Sequence, residues 1–286
     1  MLGQRLAEYY KKIDDIELMC ASVEESSFIE GVSYSQVDIT LKDDVKKLIF
    51  DFYPDFIINS AGFTNVDACE TERDLAWKIN VKGVEHLAQY SRNVDSTLIH
   101  MSTDYVFDGK KGPYSEKDKT NPISYYGRTK LASENALRIS GSKYVIFRTN
   151  VLYGPVKYGK QDFVRWIVNS LREGKQIKIV TDQINNPAYV DDLVQAVAKV
   201  IEFRKEGIYN IAGAEFLSRF KFTEMIADFF KLDKQLITPI LTEELNQPAH
   251  RPLKSGLITI KAQAELGFKP HSIRETLELM KREIFR

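Results

Sequence analysis

Apolar and polar positions along this chain fall into alternating blocks of helix and strand character. Residues 4–12 carry helical spacing, Ile16-Glu17-Leu18-Met19-Cys20 reads as a strand, and a further strand ends at Val37-Asp38-Ile39. Asp55-Phe56-Ile57-Ile58-Asn59 and Leu98-Ile99-His100-Met101 are short apolar runs, as expected of strands covered on both faces. Between them, residues 70–93 set Leu75, Ile79, Val84 and Leu87 at helical spacing, which predicts a packing stripe. Pro122 bars helix before its own position, and from about Ser124 onward Lys130, Leu131, Ala132, Glu134, Ala136 and Leu137 are good helix formers. Tyr144-Val145-Ile146-Phe147-Arg148 is the next strand. This alternation predicts an α/β fold built on a doubly wound, mostly parallel sheet.

Beyond Gly154-Pro155 the pattern changes to short strands and helices with wider loops, which predicts a smaller C-terminal domain over residues 151–286 capping the sheet's crevice. Residues 1–150 form the first domain, and 189–212 are expected to return to it through Val190, Leu193, Val194, Val197, Val200 and Ile201 and then Ile208-Tyr209-Asn210-Ile211. No repeat or low-complexity linker separates the two. The 286 residues carry 40 basic and 40 acidic side chains, so nothing electrostatic argues for nucleic acid or an anionic membrane. Two cysteines, Cys20 and Cys69, make no disulfide framework, and with four scattered histidines no metal site is expected. No apolar stretch is long enough to span a bilayer and no leader pattern precedes the first helix, so a reducing cytoplasm is the expected location.

The chemistry-bearing stretch is Ser102 to Lys130. Thr103 and Asp104 should stand where a buried strand ends, which is where open α/β sheets bind ligands. On a helix Tyr126 and Lys130 are four apart and share a face. A hydride arriving at a ketone carbon leaves an alkoxide that needs a proton donor within hydrogen-bond reach. A phenol does this sluggishly unless a neighbouring ammonium lowers its pKa, and that ammonium can also hold a ribose hydroxyl. Thr103 adds a second hydrogen bond to the same oxygen. The bare spacing Tyr-x-x-x-Lys is weak. It recurs at Tyr153 and Lys157, where Gly154-Pro155 argues against a helix, so context selects Tyr126.

At the amino end a dinucleotide-binding sheet should open with an apolar strand and a glycine-rich turn. Here Met1-Leu2-Gly3-Gln4-Arg5-Leu6 looks like the tail of such a turn, with Gly3 in the place of its last glycine. The expectation is that the chain as given starts about a dozen residues late, a length set by typical strands and turns; the rival expectation is a variant that has lost tight pyrophosphate binding. After the strand at 16–20 the chain has Ala21-Ser22 in place of a carboxylate, which permits a 2′-phosphate. Thr40 is expected to cap the helix that follows. Asn80 is expected to brace the strand that holds Thr103.

Ser-Thr-Asp-Tyr-Val-Phe-Asp-Gly at 102–109 with Tyr-Gly-Arg-Thr-Lys at 126–130 resembles the extended short-chain dehydrogenase/reductases, most closely the TDP-4-dehydrorhamnose reductase group. The resemblance also covers Asn59 to Asp67, Arg148 to Gly154, Asp182-Gln183 with Asn186-Pro187-Ala188-Tyr189, and Arg251 to Ser255. It implies a Rossmann-type fold and NADPH as cofactor, with NADH permitted. It puts Thr103, Tyr126 and Lys130 in catalysis. Gly3, Asp38, Ile39, Ala61, Gly62, Phe63, Met101, Tyr126 and Lys130 would lie on the cofactor side; Thr103, Asp104, Val151 and Arg251 would face the substrate. Asp104 would contact a sugar hydroxyl, and Arg251 would neutralise a diphosphate. The family's tryptophan after Arg-Thr-Ser is replaced here by Val151, which has no stacking face for the nucleotide.

The reaction implied is NADPH-dependent reduction of the 4-keto group of a nucleotide-linked 6-deoxyhexose, TDP-4-dehydrorhamnose first, with a homodimer left open. Two alternatives stand beside it. One is another nucleotide-sugar reductase or epimerase on the same scaffold. The other is a non-catalytic subunit similar to the regulatory subunit of methionine adenosyltransferase, whose Val-Leu-Tyr-Gly segment matches Val151 to Gly154.

Overall fold

The structure, a computed structural model, describes residues 1–159 and 161–284. In chain order the first half runs α1 (Leu2–Tyr10), β1 (Met19–Ser22), β2 (Ser33–Gln36), α2 (Lys42–Phe52), β3 (Phe56–Asn59), α3 (Ala68–Thr71) and α4 (Arg73–Trp77). A π-helical turn at Lys78–Lys82 leads into α5 (Gly83–Asn93), followed by β4 (Thr97–Thr103), α6 (Tyr125–Ile139) and β5 (Lys143–Thr149). The second half contains β6 (Leu152–Tyr153), α7 (Phe163–Arg172), β7 (Ile177–Val180), β8 (Ile184–Asn185), β9 (Ala188–Tyr189), α8 (Val190–Glu202) and β10 (Gly207–Asn210). It closes with β11 (Leu217–Ser218), α9 (Arg219–Phe230), β12 (Ile237–Ile240), α10 (Ile260–Leu266) and α11 (Ile273–Ile284).

Four parallel strands in the order β10-β5-β4-β3 form the main sheet. Successive residues of its central strands serve opposite layers, as the two-residue side-chain period requires. Ile99, Val145 and Phe147 pack under α1, α8 and α10 with Leu6, Leu193, Val197 and Leu266. Leu98 and Ile146 turn the other way, to Val45, Ile49, Val84, Leu87 and Leu137. Two-sided burial is why these strands read as continuous apolar runs, and each fully buried side chain contributes about 1.5–3 kcal/mol. A separate core built from Tyr153, Val164, Ile167, Val168, Tyr189, Phe222, Ile226 and Met280 holds the C-terminal cap together.

β1 and β2 pair in parallel but form a ladder of their own. Among the described residues, no strand pairs with the second edge of β3 or joins the two ladders. β1 also begins three residues later than Ile16, because Ile13 to Ile16 close a turn that leaves Ile16 exposed. The stripe over 70–93 is interrupted as well. The π-helical turn inserts an extra residue and rotates the helix face, so Leu75 is exposed while Ala76, Asn80, Val84 and Leu87 point inward. Thr40 does not cap α2. Leu41 occupies that position without a side-chain bond, and the Asp38 carboxylate instead accepts from the Thr40 amide (2.8 Å).

Candidate active site

β4 ends at Thr103, and α6 begins where Ser124 accepts a hydrogen bond from the Gly127 amide (3.2 Å). Gly127 lets this turn lie against the strand end: a Cβ there would stand 2.2 Å from the Tyr105 carbonyl oxygen. Strand end and helix start are thereby brought together, and with them Thr103, Asp104, Tyr126 and Lys130, each no more than 9% exposed.

Thr103 donates through Oγ1 to Asp104 Oδ1 (3.0 Å) and accepts from the Tyr105 amide (3.2 Å). Ser255, from the loop after Arg251, donates to the other Asp104 oxygen. Asp104 is therefore buried, with one carboxylate oxygen engaged by Thr103 and the other by Ser255. Burial raises its pKa to about 6, against the opposing pull of Ser255, Thr103 and the Arg219 charge.

The Tyr126 ring packs edge-on to Tyr105 (5.6 Å between centroids) in a small apolar cluster with Cys69 and Ala76. Its pKa is raised, first by burial and then by the Asp104 charge, while hydrogen bonding with Thr103 pulls the other way. The expected dominance of the Lys130 ammonium does not appear, because Lys130 Nζ turns to His100 Nε2 (3.3 Å). Burial lowers the Lys130 pKa to about 8, opposed by Glu134. A phenol held neutral is the form that can donate a proton to an alkoxide.

One turn further along α6, Glu134 takes a bidentate pair from Arg148 of β5 (Nε 2.9 Å, Nη2 2.6 Å) and a bond from Ser102 Oγ of β4 (2.6 Å). This buried pair fastens α6 to both central strands; its signal in the sequence was a charged residue on the face already occupied by Tyr126 and Lys130. Asn80 also differs from expectation. It braces the turn after β3, accepting from the Phe63 amide (2.8 Å) and donating to the Phe63 carbonyl (3.0 Å), and bonds Thr129 Oγ1 (3.0 Å), not β4.

On the cofactor side, Gly3 lies where a Cβ would stand 2.8 Å from Ser60 Oγ, so α1 starts against the end of β3. Ala61 and Gly62 expose their backbone there, and the Ala61 amide donates to Asn59 Oδ1 (3.1 Å). Exposed small residues beside a helix start suit the close approach of a dinucleotide's ribose and phosphates. Ile39 closes over Gly83, whose Cβ would lie 2.7 Å from Ile39 Cδ1, and Met101 packs half-buried on the core under α1.

On the cap side, Arg251 is already paired. It holds Asp67 through two bonds (2.9 and 2.6 Å) and the Ala249 carbonyl (2.7 Å), and this pairing lowers the Asp67 pKa. A cation the sequence did not reveal stands nearby: Arg219, at the start of α9, lies over the Phe163 ring (5.2 Å) and donates to Gln183 Oε1 (3.2 Å). Among the described residues no carboxylate forms an ion pair with it, and its charge faces Tyr105, Asp104 and Arg251. Val151 is half-buried at the β5–β6 bend, its carbonyl accepting from Ala188 (2.9 Å). Tyr153 and Lys157 are apart in role: Tyr153 is buried and bonded to Thr276 (2.7 Å), while Lys157 reaches Glu8 at the surface (3.5 Å).

A parallel sheet with a strand-end threonine beside a Tyr-x-x-x-Lys helix defines the extended short-chain dehydrogenase/reductase class. Residues 1–285 match the family profile described as RmlD substrate binding domain, and the chain belongs to that family. It is 35% identical over 260 residues to the dTDP-4-dehydrorhamnose reductase of Aggregatibacter actinomycetemcomitans, covering 87% of each chain. It is 31% identical to the spore coat polysaccharide biosynthesis protein SpsK of Bacillus subtilis, covering 91% of this chain and 90% of that one. The crystal structure of dTDP-4-dehydrorhamnose reductase from Bacillus anthracis in complex with NADP superposes with a TM-score of 0.82 at 32% identity, over 93% of this chain and 98% of that one.

Proposed function

We propose that the chain is an NADPH-dependent reductase of the 4-keto group of a nucleotide-linked 6-deoxyhexose, with dTDP-4-dehydrorhamnose the first substrate to test. The observation that carries this reading is the meeting of Thr103 and Tyr126 in one buried cluster, with Lys130 a turn behind. When bound, NADPH would supply the hydride to the sugar's C4. Tyr126 gives its phenolic proton to the oxygen left at C4 and recovers one from solvent after product leaves. Lys130 directs its N–H donors to the ribose and the phenol. Thr103 holds the keto oxygen once its hydroxyl hydrogen turns away from Asp104, a turn made easier when Asp104 is protonated. Arg219, a cation with no carboxylate ion pair among the described residues, is the better diphosphate anchor, and Arg251 shapes the pocket through Asp67. A reducing cytoplasm suits the free Cys20 and Cys69; among the described residues no helix is long and apolar enough to cross a membrane.

The test is loss of reduced-nicotinamide absorbance on mixing the protein with NADPH and a dTDP-, UDP- or GDP-linked 4-keto-6-deoxyhexose. Turnover with the dTDP sugar that Tyr126→Phe abolishes supports the reading. Oxidation with none of the three, or wild-type-like turnover by Tyr126→Phe, refutes it and leaves a binding role.

A further inference from the structure

Beneath Lys130 runs a chain of buried polar groups to which the reaction above gives no part. The Ala61 amide donates to Asn59 Oδ1 (3.1 Å), which fixes the orientation of that amide and turns Asn59 Nδ2 toward His100 Nδ1 (3.3 Å). An amide nitrogen only donates, so Nδ1 is the acceptor of the ring. Burial first, and then the Lys130 charge, push the His100 pKa well down, so the ring is neutral and its single proton sits on Nε2. From there it points to Ser133 Oγ (2.9 Å), whose own hydrogen goes to the Lys130 carbonyl (2.7 Å). Every donor then meets an acceptor. The opposite tautomer would set two N–H groups against each other between Asn59 and the ring.

Lys130 Nζ, 3.3 Å from Nε2, therefore meets an N–H and not a lone pair. We infer that His100 is a positioning residue for Lys130: with Nε2–H spent on Ser133 Oγ, the ring nitrogen beside the lysine carries no lone pair, which leaves all three ammonium donors unspent for the ribose hydroxyls and the phenol, and the ring ties the Ala61 turn to the catalytic helix. This rests on the reductase reading for what Lys130 binds, but not for the tautomer. The charged or titratable groups facing Lys130 are Glu134 of its own helix and His100 of β4, and Glu134 is already held by Arg148.

Nitrogen NMR of the His100 ring decides the first half without turnover. The expected result is a protonated Nε2 and a bare Nδ1 from pH 7 to 8; a protonated Nδ1, or an imidazolium, overturns the inference. The second half is read on His100→Gln, whose flexible amide can offer Lys130 a carbonyl oxygen. The Lys130 pKa, followed by NMR of its Nζ, should rise by about one unit, and NADPH should bind about tenfold more weakly, the low end for one charge-assisted bond. A variant that loses thermal stability while the Lys130 pKa and NADPH affinity stay put shows a merely structural histidine and overturns the proposal. If His100→Gln does not fold, the wild-type ring spectrum and the wild-type Nζ titration still decide. An Nζ titration at the ordinary lysine value then counts against it.

Discussion

Lys130 and Glu134 sit on consecutive turns of one face of α6, both almost wholly out of water, and are treated in opposite ways. Glu134 is saturated by Arg148, Ser102 and Arg138. Among the described residues Lys130 has no carboxylate bonded to it, only the His100 ring nitrogen at 3.3 Å. Removing a charge from water costs several kcal/mol unless partners replace the lost hydration. Glu134 recovers that cost within the protein, so it serves to hold the helix. Lys130 does not recover it, and its unsatisfied donors are left for a ligand. Arg251 and Arg219 repeat the contrast: the first is closed on Asp67, and among the described residues no carboxylate forms an ion pair with the second.

The strongest way to break this comparison is Arg148→Met. It leaves Glu134 buried without its main partner and should destabilise the fold by about 3–5 kcal/mol, read from the urea midpoint. Lys130→Met should do the opposite. The depressed Lys130 pKa means that the unfolded chain binds a proton between about pH 8 and 10.5 that the folded chain does not, so wild-type stability rises across that window, by on the order of 3 kcal/mol. The methionine variant should lose this slope and be at least as stable at neutral pH; a destabilisation matching that of Arg148→Met would end the contrast.

Asp104 gives a smaller step of the other sign. Its pKa is raised to about 6, so the folded protein holds a proton that the unfolded chain has already lost, and stability falls as pH climbs from about 4 to 6. Asp104→Asn should flatten that fall, by on the order of 2–3 kcal/mol; an unchanged profile would mean Asp104 is not buried as described. The smallest effect sharpens the cap comparison. Arg219→Ala should raise the KM for the nucleotide sugar about tenfold, as loss of one charge-assisted bond does, with little loss of stability. Arg251→Ala should cost stability more than substrate affinity. A reversed pattern would return the diphosphate to Arg251.

Much of the site could be read from the chain because its parts are local. β4 and β5 carry unbroken apolar runs, Tyr126 and Lys130 need only helical spacing, and Thr103 needs only a strand to end. What stayed hidden depends on distant partners or on small changes of phase. Asp67 and Arg251 stand 184 positions apart, so which carboxylate pairs with this arginine left no local trace. Arg219 looked like any surface cation, since its place over Phe163, facing Tyr105, Asp104 and Arg251, exists only in space. The π-helical turn at 78–82 shifts the packing face by one residue, which turned Leu75 outward and sent Asn80 to Phe63 and Thr129. The direction of the Thr103 hydroxyl is set by the buried carboxylate beside it, and burial is what the sequence shows least.

The division of the strands into two ladders has a dynamic consequence. Among the described residues the backbone hydrogen bonds of β1 and β2 stay within residues 19–37, and the edge of β3 is free of strand partners. A two-stranded ladder holds itself together only marginally in water, so residues 19–36 should open locally without the rest unfolding. Amide hydrogen exchange should therefore be fastest there and slowest in β4, which is bonded along both edges. In this molecule the layer expected to receive the adenosine half of the cofactor is also the first to loosen, and nucleotide binding should slow its exchange more than anywhere else.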